Sequence, residues 1–136
     1  MKPNEVKFEG PAKLEFSYGQ FLVFDDAERQ PGCDWQTAHV AQGFARRASA
    51  VGFTTLLEFG IATLRVYVGN YIRDDLHERV IAVPFQVKSG GVRIEGPDEH
   101  PVARRVPLAS GHYRVYAAQG ILVEDEENMI MEQAIE

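Results

Sequence analysis

Apolar side chains recur at every second residue along much of this chain. Residues 13–18 alternate strictly, with Leu14, Phe16 and Tyr18 on one face and Lys13, Glu15 and Ser17 on the other. That is the pattern of a half-buried strand. Gly19 interrupts it, and Phe21, Leu22, Val23 and Phe24 resume it after Gln20; a glycine in such a run predicts a bulge or bend. Residues 25–32 read as a polar loop. Further strands are predicted over residues 53–59, 61–68, 80–87, 92–95 and 112–118, the last with Tyr113 and Val115 on one face. Ser89-Gly90-Gly91 joins two of them, and a Gly-Gly pair supplies the positive φ angles of a tight hairpin. Pro84 lacks an N–H, which predicts an edge or bulged strand for residues 80–87. Residues 129–135 fit either a short helix or a last strand.

One stretch departs from the two-residue period. Trp35, Ala38, Ala41, Ala45 and Ala48 recur at helical spacing, with Phe44 beside them. Asp34 is placed to cap the first turn, Arg46 and Arg47 to suit the last, and Gly52 to end the run. The pattern therefore predicts a helix over residues 34–48. Residues 1–12 carry Pro3, Gly10 and Pro11 without periodicity and read as a flexible leader. Many short strands, one early α-helix and no βαβ alternation predict a mostly β chain: an antiparallel β-sandwich forming a single domain over residues 13–136.

Composition narrows the function by exclusion. The 136 residues are 45% hydrophobic and 25% charged, which is ordinary for a globular domain. One cysteine cannot form an internal disulfide, and a cysteine-based zinc site lacks its ligands. No apolar run reaches the roughly 18 residues of a membrane-spanning helix, and the polar beginning has no apolar signal core. These features predict a cytoplasmic protein with no membrane partner.

Charge changes the picture once it is located. The chain holds 20 acidic and 14 basic residues, for a net charge of −6. Residues 1–119 contain 14 of each sign. Glu124, Asp125, Glu126, Glu127, Glu132 and Glu136 thus supply the whole excess. A nucleic-acid binder needs clustered Lys and Arg, so nucleic acid is not an expected partner. An acidic run suits a basic partner instead.

Candidate chemistry is sparse. Cys33 with His39 is a nucleophile–base pair by residue type alone, and nothing else marks a thiol site. Asp74, Asp75, His77 and Glu78 share donor types with a divalent-ion site, but no second ligand set appears at a recognisable spacing; the plain reading is a solvated loop. The run 124–127 lacks the glycine and alternation of a calcium loop. Lys88-Ser89-Gly90-Gly91 lacks the leading glycine of a phosphate loop. Phe16, Tyr18, Phe21, Phe24, Trp35, Phe44 and Tyr113 suggest a carbohydrate platform at first, but aromatics at strand period read as core. No catalytic residue, metal or cofactor is predicted.

Ser17-Tyr18-Gly19-Gln20-Phe21 followed by Asp34-Trp35 resembles the competence protein J family. The likeness continues at Gly43-Phe44-Ala45, Val83-Pro84-Phe85, Gly91-Val92-Arg93-Ile94-Glu95 and Gly111-His112-Tyr113. It spans residues 14–136 in consistent order. The resemblance implies a non-catalytic bacterial protein that binds and inhibits a cognate DNA-entry nuclease, and it carries no catalytic residues to transfer. Joined to the charge pattern, it makes Glu124, Asp125, Glu126 and Glu127, aided by Asp74 and Asp75, the candidate partner-binding residues. The competing readings are a small-molecule or carbohydrate-binding β-sandwich, and an immunity protein against a toxin nuclease.

Overall fold

A computed structural model describes residues 4–6, 13–16, 19–28, 42–56, 60–69, 78–96, 105–121 and 128–135. Its strands are β1 (Asn4–Val6), β2 (Lys13–Phe16), β3 (Gln20–Asp25), β4 (Phe44–Arg47), β5 (Ala50–Thr54) and β6 (Gly60–Val68). They continue with β7 (Arg79–Val87), β8 (Gly91–Glu95), β9 (Arg105–Pro107), β10 (Gly111–Ile121) and β11 (Asn128–Ile135). One sheet runs β1-β6-β11-β10-β7, with β2 also paired to β6; the other runs β4-β5-β3-β8-β9. Every pairing is antiparallel except β11 on β6.

The strand alternation becomes the core directly. Leu14, Ala62, Leu64, Val66, Val83, Phe85, Val87, Val115 and Ala117 point inward from the first sheet. Phe21, Val23, Val51, Phe53, Val92, Ile94 and Val106 meet them from the second, in one buried cluster. Phe21 and Phe53 are directly paired in register and stack with ring centroids 5.3 Å apart, an offset aromatic contact of the stabilising kind. Phe44 and Tyr113 pack against the cluster from its margin. The aromatic stripe is therefore core wherever its side chains are described; those of Phe16, Tyr18 and Trp35 lie outside the described residues.

Three expectations are corrected. First, the predicted helix over residues 34–48 does not hold in its second half. Phe44–Arg47 is strand β4, paired with β5 so that Ala45 lies opposite Gly52. Gly43 sits at φ 93°, outside the helical region, and turns the chain into the strand. Alanine at helical spacing is also alanine small enough for a close strand pair, and the partner strand decided between the two. Residues 34–41 lie outside the described residues. Second, Ser89-Gly90-Gly91 does not form a hairpin. It carries the chain from β7 in one sheet to β8 in the other, and those strands do not pair. Third, Asn4–Val6, within the expected leader, is a strand paired with Tyr67 and its neighbours on β6. Residues 129–135, compatible in sequence with helix or strand, belong to β11.

Three of the edge strands, β7, β4 and β9, are blunted. β7 is an edge strand, as Pro84 predicts. Gln86 N–H donates to Ala48 O at 2.8 Å, across the gap to the other sheet. Pro84, two residues before Gln86, therefore has its missing N–H on the open side, where no ladder bond is lost. On the second sheet, edge strand β4 exposes Arg46 and Arg47, and edge strand β9 exposes Arg105 and Pro107. Charges and prolines in these places discourage pairing with another strand.

Candidate functional site

Asp25 ends β3 and continues its inward-facing set, so its carboxylate arrives at the end of the core fully buried. There it meets the crossover between the sheets. Oδ1 accepts from Lys88 N–H at 2.7 Å and Ser89 N–H at 3.1 Å, and Oδ2 from Ala27 N–H at 3.0 Å. Burial alone would raise its pKa; the backbone donors of Lys88, Ala27 and Ser89, with the Ser89 hydroxyl, outweigh it and hold the carboxyl below its ordinary value. The interaction ties both sheets together at this end.

Beside it, Asp26 accepts from Arg93 Nε at 2.7 Å and from Arg105 Nε at 2.8 Å. Arg93 also reaches Glu95 at 3.2 Å. Hydrogen bonds from the two guanidinium groups lower the Asp26 pKa, and the same bond to Asp26 raises that of Arg93. Arg105 lies flat over Gly91, where an added Cβ would run into its guanidinium. Arg47 and Glu28 add a looser pair at 3.6 Å. Asp26, Glu28 and Glu95 each have an arginine, and the buried Asp25 is held by backbone donors instead, so the outer part of this end is a charge-balanced clasp rather than an attractive surface.

The opposite end is built differently. Arg79 and Gln119 face each other across the β7–β10 pair, and both continue the inward alternation of their strands. Both donate to the Thr54 carbonyl at the end of β5, Gln119 through Nε2 at 2.8 Å and Arg79 through Nη2. Thr54 N–H and Oγ1–H in turn donate to Gly43 O at 2.8 and 3.1 Å. Burial lowers the Arg79 pKa from the usual guanidinium value. Composition and spacing gave no sign of this polar group: an Arg at a strand start and a Gln in a strand read as surface.

The predicted partner-binding residues Glu124, Asp125, Glu126, Glu127, Asp74 and Asp75 lie outside the described residues, as do Cys33, His39 and His77. The strand ends that flank the two acidic runs are described. β10 finishes at Ile121, opposite Met129 of β11. Glu78, exposed just before β7, donates its N–H to Gln119 O at 2.8 Å. The chain thus leaves toward residues 122–127 and arrives from residues 70–77 at the same end of the same sheet. Among the described residues, no three or more His, Cys, Asp or Glu side chains gather to hold a metal ion, and no helix is long and apolar enough to cross a membrane.

Two sheets around one core, with blunted edges and two polar ends of opposite character, define a mostly antiparallel β-sandwich whose ends differ in charge balance. The chain belongs to the competence protein J (ComJ) family, whose pattern it matches over residues 13–135. It is 28% identical over 90 residues to the DNA-entry nuclease inhibitor of Bacillus subtilis (strain 168), covering 66% of this chain and 67% of that protein. Its fold is similar to the crystal structure of ComJ, inhibitor of the DNA degrading activity of NucA, from Bacillus subtilis. The TM-score there is 0.76 at 22% identity, covering 94% of this chain and 96% of the other. It is also similar to the structure named crocagin biosynthetic gene J, with a TM-score of 0.54 at 13% identity and 98% of each chain covered.

Proposed function

We propose that this protein binds and inhibits a bacterial DNA-entry nuclease and is not itself an enzyme. The observation that carries the reading is the family match over residues 13–135 together with a relative known as a DNA-entry nuclease inhibitor. The blunted edges at β4, β7 and β9 argue against strand addition there, and the balanced clasp around Asp26 offers little net charge. That leaves the end where the strands flanking both acidic runs meet. The mechanism we favour is competition with DNA: Glu124, Asp125, Glu126 and Glu127, aided by Asp74 and Asp75, occupy basic groups that would otherwise hold phosphates. What supports it is the location of the charge excess, since residues 1–119 are neutral overall, and the adjacency of the flanking strand ends. Exposed charges of this kind act mainly on association rate, over a Debye length of about 8 Å at physiological salt.

The test separates the role from the mechanism. The purified protein, titrated against its cognate nuclease on linear DNA, should abolish cleavage at stoichiometric ratios. Replacing residues 124–127 by the corresponding amides should slow association and weaken its salt dependence. Unchanged kinetics at low salt would reject the acidic run as the contact while leaving inhibition itself intact.

A further inference from the structure

The joint between Arg79, Gln119 and Thr54 has two hydrogen-bonding atoms left over. Gln119 is fully buried, and its Oε1 has no partner. Arg79 Nε, also buried, has no partner either. The amide of Gln119 cannot be turned over to relieve this. Its Nε2 already donates to Thr54 O, and the reverse orientation would set two acceptors against each other. Thr54 O cannot serve Arg79 Nε in addition, because it already takes Gln119 Nε2 and Arg79 Nη2. What remains is one acceptor and one donor on two residues directly opposite in register.

We propose that Arg79 Nε and Gln119 Oε1 together form a binding site for one ordered water molecule at this end of the sandwich. The missing partner must accept from Nε–H and donate to Oε1 at once. A carboxylate or phosphate does the first but meets Oε1 as a second acceptor. An ammonium does the second but faces a guanidinium. An uncharged group that both donates and accepts satisfies both, and Gln119 is too deep for a partner's side chain to reach. Buried waters of this kind serve otherwise unsatisfied polar groups. Gly43 packs close beside the joint: a Cβ there would lie 2.7 Å from Ile81 Cδ1 and 3.9 Å from Arg79 Nη1. Filled this way, the water joins Arg79 of β7 to Gln119 of β10, beside the direct hydrogen bonds that both make to Thr54 O of β5.

A crystal structure of the full chain at a resolution that shows ordered solvent decides the matter. The expected result is one water within about 3.2 Å of both Gln119 Oε1 and Arg79 Nε. Water-oxygen relaxation dispersion on the same protein should fall by one long-lived molecule in Gln119→Met, which keeps the length of the side chain and removes both polar atoms. A direct hydrogen bond between Oε1 and Nε with no water, a side chain of the protein in that position, or an unchanged dispersion amplitude in a folded Gln119→Met would each overturn the proposal. If that variant does not fold, the wild-type electron density is sufficient by itself: a water on both atoms supports the site, and its absence overturns it.

Discussion

Replacing Asp25 by alanine should remove the strongest polar tie between the two sheets. Its buried carboxylate accepts three backbone N–H groups, from Ala27, Lys88 and Ser89. Hydrogen bonds to a charged group contribute about 1.5–3 kcal/mol each, so three give a gross figure of roughly 4–9 kcal/mol. Lys88 and Ser89 are themselves exposed, so water can recover part of what their N–H groups lose. The expected net loss is about 3–5 kcal/mol, a large share of the roughly 5–15 kcal/mol that holds a domain folded. Asp25→Asn keeps an acceptor for Lys88 and Ser89 but turns an amide N–H₂ toward the Ala27 donor, and should cost about 1–3 kcal/mol. Urea titration followed by tryptophan fluorescence measures both. The pH dependence supplies a second reading. The folded pKa is below the ordinary 3.8, so this stabilisation is complete above the unfolded value and is lost as pH falls through the folded one. Asp25→Asn should flatten that acid loss. A cost under 1 kcal/mol for Asp25→Ala, with an unchanged acid limb, would mean that the crossover holds without the carboxylate and that Asp25 is no tie at all.

Three further outcomes follow from the geometry. Gly43→Ala combines a positive φ with a contact 2.7 Å from Ile81 and should lose about 1–3 kcal/mol in thermal or urea unfolding; Gly19→Ala, at φ +64° with open space around it, should lose only the backbone part, about 1–2 kcal/mol. Gly91→Ala should displace the Arg105 guanidinium and separate it from Asp26, visible as a rise in the Asp26 pKa by carboxyl NMR; no rise would mean that Arg105 adapts without losing the bond. Asp26→Asn should cost only about 1 kcal/mol, because its partners are partly solvated, and a loss above 3 kcal/mol would contradict the reading of that clasp as a surface feature.

Much of the fold was legible because alternation is a local signal. Leu14, Phe21, Val23, Val83, Phe85 and Val115 are buried where a two-residue period puts them, and Pro84 marks its strand as an edge. The errors arose where a local signal admits two global answers. Ala45 fits a helical stripe and a close strand pair equally well, and only its partner Gly52 on β5 distinguishes them. Gly90-Gly91 supports a tight turn, but whether a turn joins neighbours or crosses between sheets depends on what grips it; here Asp25, more than sixty residues earlier, holds Lys88 and Ser89. The polar joint of Arg79, Gln119 and Thr54 was invisible for the same reason, since its members come from three strands. The acidic runs were legible as charge, yet that the strand ends flanking them lie at one end of a sheet needed the β7–β10 and β10–β11 registers.

Inhibition itself is the most direct test of the proposed role. DNA cleavage by the purified cognate DNA-entry nuclease should be followed while this protein is titrated in, with the Glu124-Asp125-Glu126-Glu127 amide variant alongside. Wild type should stop cleavage at about one-to-one stoichiometry, and the variant, equally folded, should associate more slowly with a flatter response to salt. Undiminished cleavage at a large excess of the wild-type protein would contradict the inhibitor role.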